Sequence, residues 1–318
     1  EADGRLEREE RFSEALSGLE EQLADLPSFT EVDRYLLSNN DIPAEALAKL
    51  DTGKAPRSSY LSSDASKIQV FVLFGLDGVD SSDSVMLVAL DRVHQKIKLI
   101  SLARDSYVFI PEFASFSKLA YSYTWGGAAM AVKNLNYNYY LNVSDYIAVD
   151  FDQLAQIIDR IGGVTVNIDE DEARYLSNYP NVHVGDCLLD GKTAVSYARI
   201  RKSSATDSDR KRTGRQREVI LSILNTLQTM PLSQYPGFVR DCLGMCATSF
   251  EAETLLTMAA ETLGQNYTVE QYFFPEGQVD WWAGLIKEYF YYVYDLRRAS
   301  DRIYRIIYEE LYISGYDD

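Results

Sequence analysis

Residues 68–105 read IQVFVLFGLDGVDSSDSVMLVALDRVHQKIKLISLARD, and this stretch decides the fold. Ile68 to Phe74, Ser84 to Leu90 and Ile97 to Leu102 are short apolar or β-branched runs set close together, as in neighbouring strands of one buried sheet. The first run leads directly into Gly75-Leu76-Asp77, and Ser82-Asp83-Ser84 opens the second. A carboxylate at each end of one short loop puts two sets of oxygens at a single edge of the sheet. That arrangement suits Mg²⁺ held together with water and a substrate phosphate. Asp77 and Asp83 equally suit turn positions, with side chains capping backbone amides. The third run ends in Arg104-Asp105, and ligands of open α/β sheets gather at strand ends.

A second concentration of charge lies downstream. Between Arg199 and Arg217 stand eight cations, Arg199, Arg201, Lys202, Arg210, Lys211, Arg212, Arg215 and Arg217, against only Asp207 and Asp209. The whole chain carries a formal charge of −17, so this is not average surface. Guanidinium presents a planar fork of donors that fits phosphate bidentately. Arg199 and Arg201 alternate as on a strand edge, while Arg212, Arg215 and Gln216 share one face of a helix start. Two converging elements of this kind form an anion site; the alternative is a solvated charged face. The strongly negative balance argues against binding nucleic acid or coating an anionic membrane.

The remaining chemistry-bearing residues offer less. His94 falls in a polar turn and His183 in a loop near Pro180, neither beside a nucleophile motif. No GxGxxG or phosphate-cradling loop ending in GK[ST] occurs. Cys187, Cys242 and Cys246 have no metal-site spacing and read as plain thiols. Further strands are expected at Tyr107 to Ile110, Tyr146 to Val149, Val164 to Ile168 and Glu270 to Phe274. Helices are expected at Phe151 to Ile161, Gly214 to Met230 and Leu255 to Leu263, with a long aromatic-rich helical segment from Trp281 to Leu311. Strands interleaved with helices of this length predict a three-layer α/β/α domain around a central mixed sheet. Residues 1–62 differ: a leucine stripe (Leu16, Leu19, Leu23, Leu26) stops at Pro27, a short helix follows Asp41-Ile42-Pro43, and a Ser-rich linker ends the segment.

Taken in order, these residues resemble the LytR–CpsA–Psr family of bacterial cell-wall glycopolymer transferases. The resemblance runs from about Ile68 to the C-terminus. Its pieces are the strand with Asp77 and Ser82-Asp83-Ser84, then Lys96 to Asp105, then Lys118-Leu119-Ala120-Tyr121-Ser122-Tyr123 with Gly126-Gly127. Ile161-Gly162-Gly163-Val164 follows, then Leu189-Asp190-Gly191-Lys192-Thr193-Ala194 leading to Tyr197-Ala198-Arg199-Ile200-Arg201, then Asp209, Arg212, Arg215 and Gln216. The resemblance implies transfer of an anionic glycopolymer from a polyprenyl-pyrophosphate carrier to a peptidoglycan hydroxyl, at the extracytoplasmic face of the cell membrane. It implies Mg²⁺ on Asp77 and Asp83. Arg104, Lys118, Arg199, Arg201 and Gln216 would bind pyrophosphate oxygens, with Arg212 and Arg215 at the family's spacing. Arg104 and Asp209 would be the catalytic pair, and Lys211 and Arg217 are expected at the surface. Residues 1–62 would then be a spacer following a membrane anchor, and 63–318 the catalytic domain. One departure stands out: Ser81 occupies a position where the family often has Arg. It keeps open a second reading, a protein that binds polyprenyl (pyro)phosphate without transferring it.

Overall fold

In the computed structural model, which describes residues 26–53, 63–78, 81–201, 205–263, 267–277 and 279–311, the opening stretch forms three antiparallel strands. They are β1 (Ile68–Leu76), β2 (Ser82–Asp91) and β3 (Lys96–Leu102). A hairpin of β4 (Tyr107–Ile110) and β5 (Ser115–Lys118) leads into helix α1 (Leu119–Tyr139). Next come β6 (Asp145–Asp150), α2 (Phe151–Arg160), β7 (Val164–Ile168), α3 (Glu170–Tyr175), β8 (Gly185–Leu189) and α4 (Gly191–Ala198). The long α5 (Ala205–Thr229) is followed by α6 (Tyr235–Leu243), β9 (Ala247–Thr248), α7 (Ala252–Leu263) and β10 (Thr268–Phe274). A second hairpin, β11 (Trp281–Ile286) and β12 (Tyr289–Tyr294), and α8 (Leu296–Tyr308) complete the described chain.

Strand order in the main sheet is β10-β3-β2-β1-β6-β9. β6 runs parallel to β1 and β10 parallel to β3, so the sheet is mixed. Successive side chains of a strand point to opposite faces, and β2 shows why both faces are covered. Val85, Leu87 and Ala89 join a core with α1 and α8, including Ala129 and Ile303. Met86, Val88 and Leu90 face α5 and α7 through Ile220, Leu224, Leu255 and Met258. The three-layer architecture follows from this two-sided apolar strand.

A smaller lobe stands beside the sheet. β7 and β8 pair antiparallel, and Val164, Val166, Ile168 and Leu189 pack against Tyr197 of α4 and Val219 of α5. Gly162 and Gly163, at φ +86° and +102°, make the sharp entry into β7 that L side chains resist. Gly191 begins α4 against α2 so closely that an added Cβ would sit 2.0 Å from the Ala155 carbonyl oxygen.

Two sequence expectations change. The aromatic-rich segment is helical only from Leu296 onward; Trp281–Tyr294 is a hairpin. Its residues alternate, Tyr291 and Val293 entering one cluster and Tyr292 and Tyr294 another, which suits a pleated strand buried on both faces. Lys287 at φ +54° closes its two-residue turn. The segment expected to end in a spacer boundary at residue 62 is also built into the domain. Leu37, Ile42 and Ala46 pack with Tyr107, Tyr291 and Val293, and Leu37 exchanges backbone hydrogen bonds of 2.7 and 2.9 Å with Phe116. Leu16, Leu19 and Leu23 of the leucine stripe lie outside the described residues, as does 54–62 of the linker. Cys242 and Cys246 are half-buried thiols, and burial pushes that of Cys242 up to about 12.

The tight α2–α4 crossing gives a stability prediction. Gly191→Ala forces the two helices apart and should destabilise the protein by about 1–3 kcal/mol, as overpacking does. A thermal melt would read this as a Tm several degrees lower, whereas Gly78→Ala, whose added Cβ meets nothing within 4 Å, should cost only the strain of its positive φ.

Candidate active site

β1, β3, β6 and β10 all run the same way, so their carboxyl ends share one edge of the sheet. A cavity of about 700 Å³ opens at that edge. Asp77 leaves the end of β1, with its carboxylate accepting from the Ser81 amide at 3.3 Å. Asp83 enters β2 and is buried. Arg104 follows the end of β3, Arg199 and Arg201 follow α4, and Arg212 projects from α5; all six line the cavity. Helix α5 begins at Ala205, nine residues before the expected start at Gly214, and this extension places Arg212 on a helical turn.

Asp83 is the hub. One oxygen accepts from Arg104 Nη1, and the other lies 3.6 Å from Arg201 Nη2 and 3.7 Å from Arg212 Nη1. Arg104 Nε stands 3.5 Å from Asp105, and Asp105 in turn accepts from Lys118 Nζ at 2.6 Å. Charges therefore alternate along Lys118, Asp105, Arg104, Asp83 and the two distal guanidiniums. Arg199 is exposed, its guanidinium carbon 4.6 Å from the centroid of the Phe151 ring, a cation–π contact that orients it over the opening. Four guanidiniums against two carboxylates line the cavity, which makes it a site for a multiply charged anion.

A narrow apolar slot of about 80 Å³ adjoins it and shares Asp83. Its walls are Leu73, Phe74 and Met86 from the sheet, Phe151 and Leu154 from α2, and Val219 and Ile220 from α5. Gln216 lines this slot, and its Oε1 is buried without a hydrogen-bond partner among the described residues.

The sequence model of the LytR_cpsA_psr family matches residues 40–304. The chain belongs to the LytR–CpsA–Psr family. A relative from Oceanobacillus iheyensis, polyisoprenyl-teichoic acid–peptidoglycan teichoic acid transferase TagU, is 29% identical over 230 residues, which is 69% of each chain. A second relative of that name, from Enterococcus faecalis, matches over 54% of its own length. Among solved structures, TagT bound to LIIa-WTA superposes with a TM-score of 0.64 at 19% identity, covering 80% of this chain and 96% of that one. TagT with bound octaprenyl pyrophosphate lipid superposes at 0.60 and 17% identity, covering 81% and 98%. At such identities the superpositions establish the LytR–CpsA–Psr fold.

Within that family fold the predicted site residues separate into groups. Asp77, Asp83, Arg104, Arg199, Arg201 and Arg212 converge on one cavity, and Gln216 lines the slot beside it. Lys118 stands one step back. Its ammonium is held by Asp105 and lies 5.3–6.0 Å from the rings of Tyr121, Tyr289 and Tyr291. Burial pushes the Tyr121 phenol up to about 12, so that ring stays neutral beside the ammonium. The side chain of Asp209 lies outside the described residues.

Arg215 does not face the cavity. It is buried, donating to Glu172 of α3 at 2.6 Å and to the Ile200 carbonyl at 3.2 Å, with its guanidinium over Tyr197. Three residues on from Arg212 turns a helix by 300°, four by 400°. Residues 215 and 216 therefore diverge to opposite sides of 212, one toward the small lobe and one toward the sheet. Arg217, expected at the surface, donates to Ser101 of β3 at 3.1 Å and to Gln271, and burial lowers its affinity for a proton. Lys211 is exposed.

Sequence reading missed Tyr175, Tyr179 and Ser196, which also line the cavity. They carry no local motif; the fold of the small lobe brings them there. The Asp91, His94 and Glu309 group at the far end of β2 has ligand atoms within 4.8 Å of one another. Buried Lys98 already lies 2.9 Å from Asp91 and 2.8 Å from Glu309, so those carboxylates are neutralised by ammonium.

The Glu172–Arg215 pair yields a second prediction. Both groups are buried, and Arg215→Ala strands a carboxylate, an arrangement that costs about 3–5 kcal/mol. Denaturant unfolding of the single variant against the double variant Glu172→Gln/Arg215→Met should recover most of that loss in the double.

Proposed function

We propose that this protein is a phosphotransferase that moves an anionic glycopolymer from a polyprenyl-pyrophosphate carrier to peptidoglycan. The observation that carries the reading is the union of a guanidinium-lined cavity with an apolar slot through the shared residue Asp83. A ligand with a doubly charged head and a hydrocarbon tail fits that pairing. The TagU relative bears the name of a teichoic acid transferase, and a solved TagT holds octaprenyl pyrophosphate; both support the same substrate class.

The cavity side chains then have separable tasks. Arg104, Arg199, Arg201 and Arg212 bind and orient the pyrophosphate oxygens and offset the charge that spreads over them in the transition state. Asp77 and Asp83 offer hard carboxylate oxygens from the two ends of one loop, Asp83 at the cost of exchanging a guanidinium partner for the ion, and no His or Cys lines the cavity among the described residues. This donor set suits Mg²⁺, which when bound supplies Lewis-acid neutralisation of phosphate charge. An acceptor hydroxyl oxygen attacks the sugar-bearing phosphorus. The P–O bond to the bridging oxygen breaks, polyprenyl phosphate departs, and the new bond is a phosphodiester. The hydroxyl proton passes to a carboxylate, for which Asp209 stands at the family position. Lys118 acts through Asp105 to hold Arg104 in place.

The proposed setting is the extracytoplasmic face of the membrane, with an anchor outside the described residues. No helix among those residues is long and apolar enough to cross a bilayer.

Release of polyprenyl phosphate from a lipid-linked glycopolymer donor tests this. Wild type should turn over with Mg²⁺ and stop when the ion is chelated. Arg199→Ala and Arg104→Ala should each lower kcat/KM by roughly 10²–10³, the loss expected for one charge-stabilising donor. Asp77→Ala should do likewise. Variants that behave as wild type would sink the reading. A wild type that binds the donor and leaves it intact would establish the non-transferring binder instead.

A further inference from the structure

The pyrophosphate reading accounts for the cationic lining of the cavity and leaves part of its wall without a task. That wall is formed by Tyr175, Tyr179 and Ser196 of the small lobe. Tyr175 is 58% exposed, although α3 beneath it is fixed by the buried Glu172–Arg215 pair and by a capping box at Asp169. An aromatic ring held on a rigid helix and left in solvent is a surface awaiting a flat apolar face. Tyr179 and Ser196 share a hydrogen bond of 2.5 Å between their hydroxyls, presenting a donor–acceptor pair beside it.

A second cavity, of about 350 Å³, is lined by the residues next in sequence. Pro180 and Asn181, directly after Tyr179, line it, as does Thr193, one turn of α4 before Ser196. Its polar wall carries Asp159, Asn181 and Asp190, with Leu188 as an apolar floor and no lysine or arginine in the lining among the described residues, though Lys192 lies close enough for its charge to act on Asp190. Asp159 accepts from the Gly191 amide and Asp190 from the Thr193 amide. Both carboxylates are otherwise exposed. The two cavities are thus lined by the two ends of α4, acidic at its start and cationic at its end.

Sugar rings match this surface. Their C–H faces lie on aromatic and aliphatic side chains, and their hydroxyls donate to carboxylates and amide oxygens. The sign of the charge decides which sugar. An anionic polymer would be repelled by Asp159 and Asp190, whereas a neutral hydroxyl-rich strand would be held by them. We propose that the surface from Tyr175 and Tyr179 to the Asp159–Asp190 cavity is the subsite for a neutral acceptor glycan, aligning its hydroxyl with the phosphate cavity. The subsite rests on the transferase reading for its role and on its own geometry for its ligand.

Two measurements test it. A soluble β-linked N-acetylhexosamine tetrasaccharide is titrated into the full chain and followed by tyrosine and tryptophan fluorescence. Wild type should bind it, and Tyr175→Ala should weaken binding about tenfold, the size of one aromatic contact, with an unchanged melting temperature. Tyr179→Phe, which keeps the ring and removes the hydroxyl, should weaken it by a smaller factor. In turnover, Tyr175→Ala should raise KM for the acceptor and leave that for the lipid-linked donor as it was. No tetrasaccharide binding by wild type overturns the subsite, and so does a Tyr175→Ala effect falling on the donor. If the sugar binds but wild type neither binds nor turns over the lipid donor, the transferase reading fails while the glycan site stands.

Discussion

The site depends on one buried carboxylate. Arg104, Arg201 and Arg212 all lie within ion-pair distance of Asp83, and without it those cations would repel one another. Two unit charges 4 Å apart interact by about 4 kcal/mol at an effective dielectric near 20, so three guanidiniums do not cluster unaided. Asp83 neutralises part of that repulsion and leaves the cavity with a surplus of positive charge. Asp105 repeats the device one step deeper, between Arg104 and Lys118. The donors are therefore in position before a ligand arrives, and an entering pyrophosphate meets preorganised dipoles and charges. A chain of net charge −17 can hold a strong local anion site because the field there is set by a handful of buried neighbours.

The same logic explains how the small lobe is held to the sheet domain. Helix α5 passes between them and carries four guanidiniums with different partners: Arg210, exposed, reaches Glu276 at 2.5 Å, and the other three tie the parts together. Arg212 reaches Asp83, Arg215 reaches Glu172 of α3, and Arg217 reaches Ser101 of β3. Phosphate cavity, lobe and sheet are thus tied to one rod. A displacement of α5 large enough to move Arg212 also strains the contacts of Arg215 and Arg217. The cationic and aromatic walls of the cavity keep their spacing for this reason, and the spacing is what a two-substrate reaction needs.

Much of this was legible in the sequence, and the rest was hidden for physical reasons. The paired Asp77 and Asp83 and the strand-end Arg104 could be read because short continuous apolar runs announce where a buried strand stops. Arg199, Arg201 and Arg212 could be read because clustered guanidinium in an acidic chain is a strong local signal. The spacing misplaces Arg215 because 215 and 216 flank 212 on its two sides, and tertiary neighbours decide which side meets the cavity. Its true partner, Glu172, lies 43 positions away. Trp281–Tyr294 was misread because aromatic residues tolerate both helix and strand, and only burial on both faces selects the hairpin. Tyr175 and Tyr179 had no pattern at all, since the lobe alone brings them to the cavity.

The two faces of the sheet are not equally firm, and that difference bears on how a lipid enters. Next to α1 and α8 the core is large and almost fully buried. On the α5 and α7 side the cluster is smaller, and many of its members, Leu73, Ile147, Ile220, Leu224, Leu255 and Met258, are only partly buried. The slot on that side is narrow, about 80 Å³, too little for a polyprenyl chain as it stands. Occupancy therefore demands that side chains between sheet and helices give way. Met86 and Met258 suit that demand, because an unbranched thioether repacks at little cost. The helix backbone of α5 is meanwhile fixed near its cavity end by Arg212, Arg215 and Arg217. Beyond Ile220 no ion pair holds the helix among the described residues; apolar packing and the Thr165–Ser222 and Tyr235–Leu227 hydrogen bonds do. The charged end of the site is thus tied by ion pairs and its apolar end mainly by side-chain packing, the division that a headgroup-specific and tail-tolerant pocket requires.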